Sequence, residues 1–160
     1  MLGVALFFIG AVLVVNGVGL TGRIEAKESA PFNFIVGFLT LFINFFLLTK
    51  AQTNLDFLSI AGGLLFSFTY LYLSVVQWYG LNGTGLGWYC LFVAISAVVN
   101  AAFTPDLIFS GLWVLWASLW LFFFIALALK KNLAFLPIYT ILIGIGTCWI
   151  PGFLMLFGKW

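Results

Sequence analysis

Residues 107–129 read LIFSGLWVLWASLWLFFFIALAL, a run with no charged side chain that, wound as an α-helix, exceeds the thickness of a bilayer's hydrocarbon core. Lipid is the solvent in which such a segment is stable. Comparable stretches lie at 2–20, 31–49, 57–78, 86–103 and 133–157. Together they predict an all-α integral membrane protein, a six-transmembrane-helix bundle forming a single domain over residues 1–160. The composition agrees: 65% of the residues are hydrophobic and 6% charged, too little polar surface to cover a water-soluble domain. The chain opens on Met1-Leu2-Gly3 with no basic leader or small-residue cleavage site, so the first segment is expected to be a retained helix.

The charged residues fall between these segments or at their ends. Arg23, Glu25, Lys27 and Glu28 lie in the first connector, Lys50 and Asp56 in the second, Asp106 in the fourth, and Lys130 and Lys131 in the fifth. Connectors one, three and five thus carry four basic residues, against Lys50 and Lys159 on the opposite side. The positive-inside rule then predicts that both termini lie outside. A net charge of +2 is too small and too scattered for a nucleic-acid surface.

Catalysis, metal binding and ion-coupled transport need ionisable groups at depth in the membrane. The chain has no histidine, and no Asp, Glu or Lys falls in the middle of a span. Ser67, Ser74, Ser96, Ser118, Cys90 and Cys148 have no base beside them, and the two cysteines read as buried thiols. No catalytic residue, metal site or cofactor is expected. A corridor without fixed charge suits neutral cargo.

Aromatic residues mark where such a corridor could run. Trp113, Trp116 and Trp120, at i, i+3 and i+7, fall with Phe109 on one narrow face of the fifth helix. Tryptophans also anchor helix ends at headgroups, but these run through the middle of their span. Leu6, Ile9, Leu13 and Asn16 form a stripe on the first helix, and Phe66 and Tyr70 share a face of the third. Packing alone explains any one of these. Helices one, three and five cross in the same direction, however, so the three stripes can share an axis. A slot walled by aromatic faces suits a flat, neutral molecule that accepts a few indole or hydroxyl hydrogen bonds.

Small residues predict close helix contacts. Gly3, Gly10 and Gly17 lie on one face of the first helix, and Gly144, Cys148 and Gly152 are four apart on the sixth, with a kink expected at Pro151. Gly63 and Ser67 repeat the spacing on the third. Asn44, Asn100 and Thr147 sit mid-span, either in a lumen or, more usually, hydrogen-bonded between helices.

Five blocks in order resemble the AmiS/UreI family of bacterial urea and short-chain amide channels. They are Met1-Leu2-Gly3 with Asn16-Gly17; Gly63-Leu-Leu-Phe66-Ser-Phe-Thr-Tyr70-Leu-Tyr72; Gly85-Leu-Gly-Trp88-Tyr-Cys-Leu-Phe92-Val; the three tryptophans of the fifth helix; and Thr147-Cys-Trp149-Ile-Pro151-Gly152. The resemblance implies a pore in each six-helix protomer, termini outside, and a ring of six protomers around a lipid-filled centre in the cytoplasmic membrane. It implies pore-lining roles for Leu6, Ile9, Leu13, Asn16, Phe66, Tyr70, Trp113, Trp116, Leu119 and Trp120. Acid-gated members of the family carry histidine-rich outer loops and a pore carboxylate on the sixth helix. Here the outer connectors are short and the aligned position is Ile143. The expectation is therefore an ungated, passive channel for urea, acetamide, formamide and similar solutes, supplying a cytoplasmic amidase or urease. A pore-less structural or chaperone-like subunit, or a proton-coupled amide transporter, are the alternatives.

Overall fold

Polar residues in the short connectors decide where each helix begins. Thr53 caps the third helix, its Oγ1 accepting the Asp56 N–H at 3.2 Å while Asp56 Oδ2 accepts the Thr53 N–H at 2.9 Å. Such a reciprocal box satisfies two amides that the first turn leaves free. Glu25 and Glu28 build the same box on the second helix. The computed structural model describes Met1–Trp160. It contains six apolar helices long enough to cross a membrane: α1 (Leu2–Leu20), α2 (Ala26–Leu48), α3 (Asn54–Tyr79), α4 (Thr84–Phe103), α5 (Leu107–Leu127) and α6 (Leu136–Leu156). The protein is a six-helix, multi-pass membrane protein.

The helices form a closed ring in chain order. Each packs on its sequence neighbours, and α1 closes the ring against α6. Glycine makes that closure tight. A Cβ on Gly10 would lie 2.6 Å from the Trp149 backbone nitrogen and 2.8 Å from the Gly144 oxygen. On Gly144, in turn, it would meet the Leu13 Cβ at 2.7 Å, so the expected glycine faces of α1 and α6 lie against each other. The outside of the ring is apolar, and the polar side chains of the spans turn inward among a largely hydrophobic core. Phe34, Phe38, Phe42, Phe92, Ile95 and Ile138 are exposed, whereas Asn33, Thr40, Asn44, Ser67, Asn100 and Thr140 are buried. All charged side chains are exposed at the two ends.

Three sequence expectations shift. Helix α2 starts at Ala26 instead of 31, because the Glu25 box nucleates a turn that includes the charged Lys27 and Glu28; Pro31 lies inside it. Helices α5 and α6 stop at Leu127 and start at Leu136, inside the expected 129 and 133. The irregularity expected at Pro151 is a π-helical turn over Gly144–Trp149, ahead of the proline. There the Ile150 N–H reaches the Ile145 carbonyl, one residue further back than in an α-helix. Proline lacks an N–H and crowds the carbonyl four residues before it, and the wider turn relieves both.

Candidate functional site

The tryptophans of α5 point into the ring. Trp113, Trp116 and Trp120 are 7%, 2% and 4% exposed, which excludes a headgroup belt. Phe66 of α3 crosses the ring to meet them, its centroid 5.1 Å from Trp116 and 4.5 Å from Trp120, edge to face in both cases. Trp113 completes the cluster 5.0 Å from Trp116. Edge-to-face contacts hold such rings in fixed planes.

Trp116 is held most firmly. Its indole N–H donates to Thr147 Oγ1 at 2.9 Å, and that hydroxyl donates to the Ile143 carbonyl at 2.6 Å. Thr147 lies in the π-helical turn, so the irregular backbone of α6 carries the group that orients the central indole. This N–H is therefore occupied within the protein, whereas those of Trp113 and Trp120 have no protein partner.

Two cavities lie on either side of this cluster, and Phe66 and Trp116 line both. The larger, about 270 Å³, faces the end that carries the termini and is lined by Leu6 and Ile9 of α1, Asn44 of α2, Asn100 of α4 and Trp113 of α5. Asn44 Nδ2 donates to the Thr40 carbonyl at 2.8 Å and Asn100 Nδ2 to the Ser96 carbonyl at 2.9 Å. A carbonyl can only accept, so the amide nitrogens face these carbonyls and the Oδ1 atoms turn away. Gly62 and Gly63 make room for those oxygens: a Cβ on Gly62 would lie 3.1 Å from Asn100 Oδ1, and one on Gly63 would collide with Asn44 Oδ1.

The second cavity, about 190 Å³, opens toward the end of connectors one, three and five. Its lining includes Leu13, Asn16, Tyr70, Leu119, Trp120 and Gln77. Asn16 and Asn33 form a reciprocal amide pair, Nδ2 to Oδ1 at 2.8 Å both ways. The Asn33 amide also donates to Gln77 Oε1 at 3.0 Å. Each cavity is large enough for several water-sized molecules.

Each candidate named from the sequence lines one cavity or both. Leu6, Ile9 and Trp113 lie on the terminal side, Leu13, Asn16, Tyr70, Leu119 and Trp120 on the other, with Phe66 and Trp116 between. Ile143 is buried and lines neither. Of the mid-span polar residues, Thr147 bonds between helices as expected, whereas Asn44 and Asn100 bond mainly along their own helices and line a cavity. The polar face of α2 went unread in the sequence. Ser29, Asn33, Gly37, Thr40 and Asn44, spaced four, four, three and four apart, are all buried, and that helical spacing is visible in the sequence.

A family model described as AmiS/UreI family transporter matches residues 1–159. AmiS2 of Rhodococcus erythropolis, named a transporter protein, is 39% identical, with 98% of this chain and 79% of the relative aligned. The acid-activated urea channel of Helicobacter pylori is 33% identical over the full length of both chains. That alignment runs over 195 positions against the 160 residues of this chain, so the relative has segments that are absent here. The crystal structure of the urea channel from Helicobacter pylori superposes with a TM-score of 0.90 at 35% identity, covering 100% of this chain and 99% of that one.

Proposed function

The chain belongs to the AmiS/UreI family of transporters, and from that premise we propose that it is a passive channel for small neutral amides such as urea, acetamide and formamide. The observation that carries the reading is the pair of cavities sharing Phe66 and Trp116 as a common wall. A solute moving from one to the other must slip past aromatic faces that offer little to replace water. An ion stripped of hydration there pays several kcal/mol, on the order of 10 or more, whereas a planar amide loses only a few hydrogen bonds. The pathway is made of Leu6, Ile9, Leu13, Asn16, Phe66, Tyr70, Trp113, Trp116, Leu119 and Trp120.

The whole chain, 1–160, acts as one channel domain, and copies assemble as a ring in the cytoplasmic membrane with the termini outside. The basic residues of connectors one and five support that orientation. The channel stays open in acid and at neutral pH, because no histidine is present and the connectors Thr49–Thr53 and Thr104–Asp106 are too short to form a lid. It supplies an amidase or urease inside the cell. Labelled acetamide in proteoliposomes tests the passive mechanism: the internal concentration rises to the external one and no further, with or without an imposed proton gradient. Accumulation above the external level, abolished by a protonophore, would establish coupled transport instead.

A further inference from the structure

Beyond the aromatic constriction, the cavity at the basic end holds a cluster of polar groups whose hydrogen bonds are incomplete in a particular sense. Asn33 sets the orientation of the whole cluster. Its Nδ2 donates to the Ser29 carbonyl at 3.0 Å, which can only accept, and the same nitrogen faces Gln77 Oε1 and Asn16 Oδ1. Gln77 Oε1, 3.0 Å away, is a third acceptor for two hydrogens and shares one of them, and neither N–H of Gln77 Nε2 has a protein partner. Asn16 uses one of its two N–H groups on Asn33. Ser29 Oγ is the one buried polar side-chain atom of the protein with no partner, on a residue 1% exposed and sealed beneath the same cavity. The N–H groups left over on Gln77 and Asn16 lack an acceptor.

We propose that Gln77 and Asn16 form a subsite that binds the carbonyl oxygen of the permeating amide as it leaves the constriction. The inference rests on the channel reading and deepens it by naming the group recognised. A solute that has passed Phe66, Trp116 and Trp120 has lost water from its oxygen, and donors lining the same cavity further along restore those bonds. The Asn16–Asn33 pair shows the chemistry in place, because two facing primary amides make the same two-bond ring that an entering amide makes with a carboxamide. Loose binding is what conduction needs: the donors are neutral, so the solute is held and released.

Thioamides supply the test, because sulfur is a weak acceptor in a molecule of nearly the same shape. Urea, thiourea, acetamide and thioacetamide fluxes are measured by stopped-flow light scattering in liposomes containing the wild type, Gln77→Met or Ser29→Ala. Wild-type flux above that of empty liposomes secures the channel reading separately. The subsite predicts that Gln77→Met lowers the oxo-amide to thioamide flux ratio by about three- to tenfold, the range of one neutral hydrogen bond. Ser29→Ala, which removes an orphan hydroxyl sealed from the cavity, leaves the ratio at the wild-type value while thermal stability holds or rises. An unchanged ratio in Gln77→Met, or equal loss of all four fluxes, overturns the subsite.

Discussion

Substituting Thr147 by valine keeps the shape of the side chain and deletes the one acceptor of the Trp116 indole N–H, now 2.9 Å from Thr147 Oγ1. Trp116 is 2% exposed, so the orphaned donor has no water to turn to in its present plane. Leaving a buried N–H unpaired costs about 1–3 kcal/mol. The indole recovers part of this by rotating toward a cavity, and because it lines both cavities, rotation obstructs the step between them. A barrier raised by about 1–2 kcal/mol slows flux roughly 5- to 30-fold. Stopped-flow measurement of acetamide entry, combined with the tryptophan emission spectrum, reads both effects. Thr147→Ser retains the hydroxyl and restores both flux and spectrum. Thr147→Val protein that is monodisperse and conducts at the wild-type rate would refute the claim that this bond fixes the constriction.

Gly10→Val places a branched side chain where a Cβ alone comes within 2.6 Å of the Trp149 backbone, and is expected to destabilise the α1–α6 contact by about 1–3 kcal/mol or more, seen as a lower melting temperature in detergent. Gly63→Ala drives a methyl into Asn44 Oδ1 and is expected to lower flux with a smaller loss of stability, since a side chain yields more readily than backbone. Trp120→Ala and Tyr70→Ala are expected to alter amide flux or selectivity with assembly intact on size-exclusion chromatography; loss of assembly would assign these rings to packing. Urea flux at external pH of about 5 and about 7.5 is expected to agree within about twofold, because the chain has no histidine.

Much of this architecture could be read from the chain because a membrane leaves few alternatives. Six uncharged runs of bilayer length become six helices, and of the Gly3, Gly10, Gly17 repeat the first two face Gly152 and Gly144 of α6 while Gly17 meets Pro137 and Ile141. The aromatic stripe of α5 was visible because its spacing matches the helical period. Helix ends were less legible at Ala26, where charged residues suggested a connector but the Glu25–Glu28 box makes a first turn. Periodicity also cannot reveal a π-helical turn, since its bonds arise from the proline beyond it and from the packing of Thr147 against Trp116. Leu119 came from family likeness, lying to one side of the tryptophan stripe, yet it is 3% exposed and lines the cavity at the end of connectors one, three and five. The polar face of α2 was missed for a different reason. Asn44 stands out mid-span by itself, whereas Asn33, 0% exposed and paired with Asn16, shows its place only through the four-residue spacing that links it to Ser29 and Gly37.

The central claim is that the two cavities form one route for small amides. Stopped-flow light scattering on proteoliposomes of the purified chain tests it most directly, comparing re-swelling in urea and acetamide with that of empty liposomes from the same lipid. The account predicts re-swelling well above the empty-liposome rate for both solutes, reduced by substitution at Phe66 or Trp116. Rates equal to those of empty liposomes, from protein shown to be folded and inserted, would contradict it.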